Sequence, residues 1–450
     1  MLSFAALYTA SLLGAVCGQQ AGTLVAENHP PLAVTECAAN GCIQTSKAIT
    51  LDSNWRWLHT TQGFTSCISG NQWDASICSD PVACSTSCAL DGADYSSTYG
   101  IRTSGNSLTL KYVYSSPFRG SRTFLLDNDS TYKLFNLKNK ELAFDVDVSQ
   151  LPCGLNGALY FAELPADGGI STQVHNKAGA KYGTGYCDSK CPHELKFIAG
   201  EANILDWTPS NLDPNSGTGR YGACCAEMDI WEANSISSAY TAHPCSADGL
   251  HRCEGSECDG GPTGVCDKDG CDFNPYRLGS KAFFGRGKTI DTNKKFTVLT
   301  QFITSNGTAA GDLTEVRRFY VQNGVVRQNS VSSIPGVPAS NSLTDSFCSA
   351  QKSAFGDTDS FAPKGGLAGI GKAFERGMVL VMSIEDDSDR NMLWLDGTYP
   401  PHADPLNPGV VRGECSAGEG IIVEPDDPAP QVKFSNIRYG DLGSTTSVNM

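Results

Sequence analysis

Alternation of apolar and polar residues constrains the fold of this chain more than any other feature. Within 142–148 every second residue is Leu, Phe or Val, and 108–114 repeats the pattern with Leu and Tyr. A period of two is typical of strands with one buried face. Asn323-Gly324, between 319–322 and 325–328, predicts a tight hairpin. Further strand-like runs lie at 157–163, 295–303, 378–384 and 432–438.

Helical patterns are few and short, and Gly, Pro, Asn and Asp fill the spaces between the strand-like runs. We therefore predict an all-β sandwich of large antiparallel sheets with long loops. No repeat, charge block or long Ser/Pro linker interrupts the pattern. The Pro-containing stretches 334–338 and 400–408 fit surface loops. We expect one domain over 19–450, with no linker or appended carbohydrate-binding module.

The first 18 residues contain no charged side chain and are mostly apolar or small. Val16 and Gly18 suit the positions before a cleavage site at Gln19, so 1–18 fits a signal peptide. No Lys or Arg precedes the apolar run, which is atypical, and a buried N-terminal helix is the alternative. We expect a secreted, extracellular protein.

The chain has 19 cysteines, and loss of 1–18 would remove Cys17 and leave an even number. Spacings such as Cys187-x3-Cys191 and Cys253-x4-Cys258 are also compatible with zinc, but a secretory route favours disulfides. Two sequons, at Asn128 and Asn306, predict N-glycosylation.

The formal net charge is −15, from 33 Lys and Arg against 48 Asp and Glu. Nucleic acids and anionic membranes need a basic surface, so we expect neither as a partner. The charge says little about a neutral partner such as a polysaccharide. After residue 18 no apolar run is long enough to span a membrane.

Three carboxylates fall within six residues, at Glu227, Asp229 and Glu232. On a strand, Glu227 and Asp229 share one face, and a β-bulge near Ile230 or Trp231 would bring Glu232 to that face as well. Converging carboxylates repel each other and raise a pKa, an arrangement that glycoside hydrolysis uses. Spacing alone leaves two alternatives open, a solvated acidic strand face and a calcium site.

The segment Glu-Met-Asp-Ile-Trp-Glu-Ala-Asn-Ser-Ile-Ser at 227–237 resembles the signature of glycoside hydrolase family seven, which contains cellobiohydrolases and endoglucanases. The resemblance extends from about Gln19 to about Ser444. It implies a β-jelly-roll sandwich of two large antiparallel sheets, with disulfide-linked loops forming a cleft or tunnel that binds cellulose. Other matching segments are Asn54–Trp57, Thr98–Gly100, Phe144–Phe161, Gly179–Cys187, Asn274–Leu278, Asn391–Asp396 and Phe434–Ile437.

The resemblance implies catalytic roles for four residues. Glu227 would be the nucleophile, and Glu232 the general acid and then the general base. Asp229 would hold the nucleophile and adjust both pKa values. His243 matches a histidine near the acid/base, although a loop or core histidine is the alternative.

The family's substrate-binding positions also carry over. Trp55, Trp57 and Trp394 match sugar-stacking platforms, because a pyranose presents C–H faces to a flat ring. Seven further residues match positions that line the cleft, and for these both sugar binding and structural pairing are open: Tyr160, Asp188, Lys196, Asp272, Arg277, Arg122 and Arg412.

The family's disulfides use all 18 remaining cysteines. The implied pairs are Cys37–Cys42, Cys67–Cys88, Cys78–Cys84, Cys153–Cys415, Cys187–Cys225, Cys191–Cys224, Cys245–Cys266, Cys253–Cys258 and Cys271–Cys348.

Two positions depart from the family pattern. Glu385 stands where members usually carry a stacking Trp, and Lys190 where Gln is frequent. The loop between Cys258 and Cys266 is shorter than in long-tunnel members, whereas 209–222 and 399–413 keep cellobiohydrolase-like length.

We therefore expect a retaining cellulose 1,4-β-cellobiosidase that acts from the reducing end. An endo-β-1,4-glucanase is the nearer alternative, and a non-catalytic, lectin-like glucan binder is the remote one. We expect a monomer that binds cellulose and cello-oligosaccharides and needs no cofactor or metal.

Overall fold

The computed structural model describes residues 19–112, 119–387, 390–416 and 429–446; the predicted signal peptide, with Cys17, and Tyr114 lie outside them. The strands, in chain order, are β1 (Gln20–Ala21), β2 (Pro31–Ala38), β3 (Gly41–Leu51), β4 (Leu58–Thr60), β5 (Ile68–Ser69), β6 (Gln72–Trp73), β7 (Cys88–Leu90), β8 (Ile101–Ser104), β9 (Ser107–Lys111), β10 (Ser121–Asn128), β11 (Thr131–Tyr132), β12 (Leu134–Phe135), β13 (Lys140–Asp147), β14 (Leu155–Ala162), β15 (Phe197–Ile198) and β16 (Glu201–Ala202). They continue with β17 (Thr208–Pro209), β18 (Gly217–Thr218), β19 (Tyr221–Cys224), β20 (Glu227–Ala233), β21 (Ser238–His243), β22 (His251–Glu254), β23 (Cys271–Phe273), β24 (Phe284–Gly285), β25 (Ile290–Asp291), β26 (Phe296–Thr304), β27 (Leu313–Gln322), β28 (Val325–Gln328), β29 (Ser342–Leu343), β30 (Met378–Asp386) and β31 (Gln431–Asp441). The helices are α1 (Pro81–Ser87), α2 (Asp345–Phe355), α3 (Gly366–Arg376) and α4 (Leu393–Asp396), with short 3-10 turns at Ser53–Trp55, Ala180–Tyr182, Gly255–Cys258 and Ala362–Lys364.

Two large antiparallel sheets are stacked in a sandwich, which confirms the predicted all-β jelly-roll architecture. The first sheet, sheet A, runs β23–β21–β20–β14–β30–β10–β3–β2. The second, sheet B, runs β8–β9–β31–β13–β26–β27, and both β28 and β29 pair with β27.

Strand β2 belongs to both sheets. It pairs antiparallel with β3 along its whole length in sheet A, and its residues 35–37 pair parallel with 438–440 of β31 in sheet B. The hydrogen-bonded network therefore continues around one edge of the sandwich, which is nearly closed there. Such closure removes an exposed strand edge.

The core lies between the sheets and is rich in aromatic side chains. Trp231 of β20 is fully buried. Its ring contacts Phe144, Phe284 and Phe296 edge-on, with centroids 5.7 to 6.3 Å apart. These contacts join β20 in sheet A to β13 and β26 in sheet B, so the strand that carries the carboxylates is fixed from behind by the core.

The predicted strand runs agree with observed strands to within a few residues. The run at 157–163 corresponds to β14, 295–303 to β26, 378–384 to β30 and 432–438 to β31. Asn323 and Gly324 both have positive φ, at 53° and 74°, and join β27 to β28 as the hairpin prediction required.

Nine disulfides are present in the described residues, and they are the nine pairs implied by the resemblance. They are Cys37–Cys42, Cys67–Cys88, Cys78–Cys84, Cys153–Cys415, Cys187–Cys225, Cys191–Cys224, Cys245–Cys266, Cys253–Cys258 and Cys271–Cys348. The longest loop, of 262 residues, is closed by Cys153–Cys415. Most of the other bridges tie long loops to the sheets, where those loops lack a core of their own.

Asn128 and Asn306, the two predicted glycosylation sites, are exposed. Among the described residues, no helix combines the length and the apolar character needed to cross a membrane.

Candidate active site

A β-bulge in β20 brings the three carboxylates to one face of sheet A. Relative to β14, Leu159 pairs with Trp231 and Tyr160 with Asp229, so Ile230 is skipped. Relative to β21, the register also shifts between Asp229 and Glu232. Ile230 and Trp231 consequently both enter the core, and Glu232 returns to the face of Glu227 and Asp229.

The balance of energies explains the bulge. Strict alternation would direct Glu232 into the apolar core and Trp231 out of it. A buried carboxylate without a partner costs several kcal/mol, and burying an aromatic ring contributes about 2 kcal/mol or more, whereas one irregular ladder hydrogen bond costs about 1 kcal/mol. The sequence therefore favours the bulge that the carboxylate spacing predicted.

Glu227 is held by Ser189. The Ser189 hydroxyl donates to Oε2 of Glu227 at 2.6 Å, and the Ser189 amide donates to the same oxygen at 3.1 Å. Two disulfides, Cys187–Cys225 and Cys191–Cys224, clamp the segment of Ser189 against the residues that precede β20. The bridges thus fix two donors on a carboxylate, which stabilises its ionised form.

Asp229 is paired with His243 on the neighbouring strand. Nε2 of His243 lies 3.0 Å from Oδ2 of Asp229, and Nδ1 donates to the Asp267 carbonyl at 2.8 Å. Burial alone would lower the pKa of His243, but the hydrogen bond and charge of Asp229, together with Glu227, raise it to about 10. His243 is therefore a cation beside the carboxylates at acidic and neutral pH.

Glu232 lies near the other end of the carboxylate row. Nδ2 of Asn156, on β14, donates to its Oε1 at 3.2 Å, and the Asn156 carbonyl oxygen accepts from the Ala233 amide at 3.0 Å. Burial raises the pKa of Glu232, while Lys190 and His243 oppose that shift. Burial and the two neighbouring glutamates also raise the pKa of Asp229. Raised pKa values keep protons in this row, as an acid catalyst requires.

A hydrogen-bonded chain continues the site through Tyr160 and Asp188. The hydroxyls of Tyr160 and Tyr186 lie 2.8 Å apart, and Tyr186 donates to Oδ2 of Asp188 at 2.7 Å. Burial, with the charge of Glu227, raises the pKa of Asp188 to about 7. Of the seven residues left open between sugar binding and pairing, these two join the carboxylate group.

Lys190 covers the ring of Trp394. Its ammonium nitrogen lies 4.7 Å from the centroid of the indole, which stands on α4. Burial would lower the pKa of Lys190, but Glu232, Glu227 and Asp188 raise it. A lysine at this position therefore adds a positive charge to the carboxylate group and rests on the face that a stacked sugar would use.

Arg122 and Trp55 form a second group on sheet A. Asp52 caps the turn that carries Trp55 through one oxygen and accepts from Nε of Arg122 through the other, at 2.8 Å. The guanidinium lies 3.4 Å from the Tyr186 ring centroid and 4.9 Å from that of Trp55. Glu385, which replaces the expected Trp, lies 3.7 Å from Nη1 of Arg122.

Three of the candidate residues form a third group, near Trp394. Arg277 pairs with Asp272 and, at 2.8 Å, with Asp357. Nη1 of Arg412 donates to the Trp394 carbonyl at 3.2 Å, and burial together with Arg277 lowers the pKa of Arg412 to about 10. These contacts are structural pairings that surround the predicted platform.

Lys196 is also structurally paired. Its ammonium donates to the Asn54 carbonyl at 2.7 Å and so holds the turn of Trp55, and burial lowers its pKa to about 8.

Trp57 stands apart from these groups. Its ring is 39% exposed and packs on the ring of His59, with centroids 4.3 Å apart. On the other side of His59 lies Phe64, 40% exposed and with a left-handed φ of 50°. The two exposed rings are thus supported by one histidine, which Asp91 fixes through a 2.8 Å contact.

Ligand atoms of Glu227, Asp229 and His243 all lie within 4.8 Å of one another. This is the only group of possible metal ligands in the described residues that contains no disulfide cysteine. Both ring nitrogens of His243 already have partners, so the geometry fits a carboxylate–histidine pair.

Sequence reasoning missed Ser189 and Asn156. Both reach the carboxylates from other segments, and only their closeness to matched residues, Asp188 and the 144–161 segment, pointed toward them. The arrangement combines an ionised carboxylate with donors, a carboxyl with a raised pKa, and flanking aromatic rings. Such a pair of carboxyl groups suits acid-assisted nucleophilic displacement at a sugar.

Comparisons with known proteins agree with this chemistry. The sequence model of glycosyl hydrolase family 7 matches residues 21–446. A cellobiohydrolase of that family from Daphnia pulex is 50% identical, with a TM-score of 0.92, over 95% of this chain and 100% of the other. A cellobiohydrolase from Melanocarpus albomyces, solved in complex with cellotetraose, is 43% identical, with a TM-score of 0.89 and the same coverage. The endocellulase EGI of Humicola insolens is 37% identical, with a TM-score of 0.80, again over 95% and 100%.

Proposed function

The chain belongs to glycosyl hydrolase family 7, and from that membership we propose that it is a secreted, retaining cellulase that releases mainly cellobiose from the reducing end of cellulose. The observation that carries the proposal is the bulged strand β20, which directs Glu227, Asp229 and Glu232 to one face. The bulge, the donors on Glu227 and the raised pKa of Glu232 each suit one part of that reaction.

In the first step, a carboxylate oxygen of Glu227 attacks the anomeric carbon and forms a glycosyl ester. The bond from that carbon to the glycosidic oxygen breaks, and Glu232 gives its proton to the departing oxygen. Ser189 holds Glu227 as a carboxylate, and burial keeps the proton on Glu232. Asp229, paired with His243, lies within 4.8 Å of Glu227 and restrains it.

In the second step, water attacks the same carbon and Glu232, now ionised, takes the proton of the water. The ester bond to Glu227 breaks, so both carboxyl groups return to their starting states and one water has been consumed. Two displacements at one carbon restore the original anomeric configuration. Tyr160 and Asp188 extend the polar wall beside this pair.

The substrate we propose is a β-1,4-glucan chain. The Melanocarpus albomyces relative was solved with cellotetraose, a short chain of this class. Trp55, Trp57 and Trp394 supply flat rings for pyranose faces. A neutral polymer also fits an acidic protein, because it is indifferent to the net charge of −15.

Exo action is supported by the comparisons. Two cellobiohydrolases are 43% and 50% identical to this chain, whereas the endocellulase is 37% identical and has the lower TM-score. The short segment between Cys258 and Cys266 favours the second candidate, an endo-β-1,4-glucanase with a more open cleft.

Glu227→Gln tests the chemistry. This variant should lose hydrolysis of cello-oligosaccharides by more than about 10³-fold and still bind them, because the amide keeps the shape of the site but is a poor nucleophile. NMR of the first product formed by the wild type should show the β-anomer. Substantial turnover by the variant, or an α-anomeric first product, would refute the retaining assignment.

The soluble products of amorphous cellulose separate exo from endo action. A large excess of cellobiose over longer sugars, with little early loss of viscosity of a soluble cellulose derivative, is expected. A rapid fall in viscosity with many longer products would instead assign the endo function. End-labelled cello-oligosaccharides would test the reducing-end preference in the same experiment.

A further inference from the structure

The bulge that orients Glu232 is contacted from the opposite sheet. Arg318 lies on β27 of sheet B and is buried in the core. Its Nη2 donates to the carbonyl of Ile230, the residue that the β14 ladder skips. An arginine from one sheet therefore holds the backbone irregularity of the other.

The guanidinium is itself fixed by its surroundings. Nε of Arg318 donates to Oγ1 of Thr300 at 3.0 Å, and the group lies 4.2 Å from the ring centroid of Tyr240. Tyr240 stands opposite the bulge, between Thr241, which pairs with Asp229, and Ala239, which pairs with Glu232. Arg318 thus meets the bulge through both its backbone and the strand beside it.

A buried arginine in this core is expensive. Among the described residues, no carboxylate lies within 4 Å of its nitrogens. A desolvated cation without a counter-ion costs several kcal/mol, and hydrogen bonds to a hydroxyl and a carbonyl offset part of that cost. An apolar residue would fill the same space more cheaply, so a requirement other than packing is indicated.

The location of the bulge supplies that requirement. Ile230 is two residues from Glu232 and one from Asp229, and its carbonyl is the point at which regular pairing fails. Loss of the bulge would turn Glu232 toward the core, because one residue of register reverses the face of every side chain. A donor at this carbonyl stabilises the bulged register against the regular one.

We propose that Arg318 is a positioning residue that fixes the bulge at Ile230 and thereby aims the Glu232 carboxyl at the glycosidic oxygen. This inference rests on the proposed function, because it assigns Glu232 as the acid. Arg318 does not touch substrate. Its effect on the reaction passes through the backbone of β20.

Dependence on the leaving group distinguishes positioning from general destabilisation. Dinitrophenol departs from an aryl β-cellobioside with little proton assistance, whereas phenol departs slowly unless an acid protonates it. Arg318→Met should lower kcat/KM for phenyl β-cellobioside by about tenfold or more, and for dinitrophenyl β-cellobioside by less than about threefold. A smaller fraction of folded protein would lower both values equally.

Arg317→Met is the matched control, since Arg317 lies on the same strand but is exposed and pairs with Glu315. It should change neither value. Thr300→Val removes one acceptor from Arg318 while the arginine remains, and it should give the same pattern with a smaller amplitude. If Arg318→Met does not fold, Arg318→Lys and Thr300→Val decide the question through the same ratio.

Equal losses for both substrates, or no loss for either, would overturn the positioning role. Glu232→Gln, measured alongside, keeps the two levels separate. It should show the largest discrimination between the substrates. Without discrimination by Glu232→Gln, the acid assignment itself fails; with it, but none in the Arg318 and Thr300 variants, only the present inference fails.

Discussion

His243 and Asp229 form a buried pair across two neighbouring strands, with Nε2 and Oδ2 3.0 Å apart. The Asp267 carbonyl occupies the other ring nitrogen, so the imidazole is fixed at both ends. This pair offsets part of the negative charge that three carboxylates bring to one face. Its removal should therefore be visible in the titration of the remaining groups.

We expect His243→Gln to move the alkaline limb of the kcat/KM profile to higher pH. The charge of His243 lowers the pKa of Glu232, so its loss lets that pKa rise and the acid stays protonated longer. Activity at the optimum should fall by about tenfold, because Asp229 loses its partner. A pH profile on a soluble aryl cellobioside measures both. His59→Gln, which breaks the pair with Asp91 elsewhere, is the control; a limb that stays in place or moves to lower pH would contradict the charge argument.

Lys190→Gln should shift the same limb in the same direction, since Lys190 also lowers the pKa of Glu232. A second effect distinguishes the two variants. Removing the ammonium from the Trp394 ring frees that face for a sugar, so cellobiose should inhibit the variant more strongly, by a few-fold. Inhibition constants measured with Lys372→Gln, an exposed lysine on α3, provide the baseline. Unchanged inhibition would show that the ammonium leaves readily when sugar binds.

The ligand-free protein should lose stability as pH rises from about 4 to about 7. Asp188 has its pKa raised from 3.8 to about 7, and Asp229, Glu232 and Glu385 are also raised. A raised folded-state pKa means that the native state binds more protons than the unfolded state, so the free energy of unfolding falls with pH over that window. His243, raised from 6.5 to about 10, continues the fall at higher pH.

Calorimetry of Asp188→Asn measures this effect. The amide cannot titrate, so the decrease in Tm between pH 4 and 7 should become shallower than in the wild type, about 1.4 kcal/mol being expected for each pKa unit removed. Asp269→Asn, at an exposed position, should leave the slope unchanged. An equally steep slope in Asp188→Asn would mean that other groups carry the dependence.

Glu385→Trp should restore a platform that the resemblance leads one to expect. In the Glu227→Gln background, affinity for longer cello-oligosaccharides should rise about fivefold, which corresponds to about 1 kcal/mol of stacking. The partly exposed contact with Arg122 that is lost contributes little. Isothermal titration gives the affinities, and Glu385→Gln, which removes the charge without adding a ring, should show no gain. Equal gains in both variants would locate the effect in the charge.

Much of the fold was predictable because its signals are local. Alternation identified the long strands, Asn323-Gly324 the hairpin, and the spacing of Glu227, Asp229 and Glu232 the bulge, since the bulge alone lets three acids avoid the core. The disulfide pairs and the candidate platforms came from the resemblance and not from spacing.

Other contacts were not predictable because they join segments far apart in the chain. Ser189 reaches Glu227 from 38 residues away, and Arg318 reaches Ile230 from 88. Lys196 and Arg277 were left open between sugar binding and pairing, and only the folded chain brings their partners close. A local pattern cannot rank such encounters, which depend on how two sheets are stacked.

The shared strand β2 also sets an order in time. Glu36 on β2 accepts from the Tyr439 hydroxyl on β31, 403 residues later, at 3.0 Å. During synthesis, one side of residues 35–37 must wait until almost the whole domain has emerged, because its partners, residues 438–440, come last. Pairings at such separation pay a large loop-closure cost before they form, so maturation should be slow and should expose a template for aggregation while it proceeds. A cell that produces this enzyme in quantity therefore depends on its folding machinery most at the moment when the final strand is delivered.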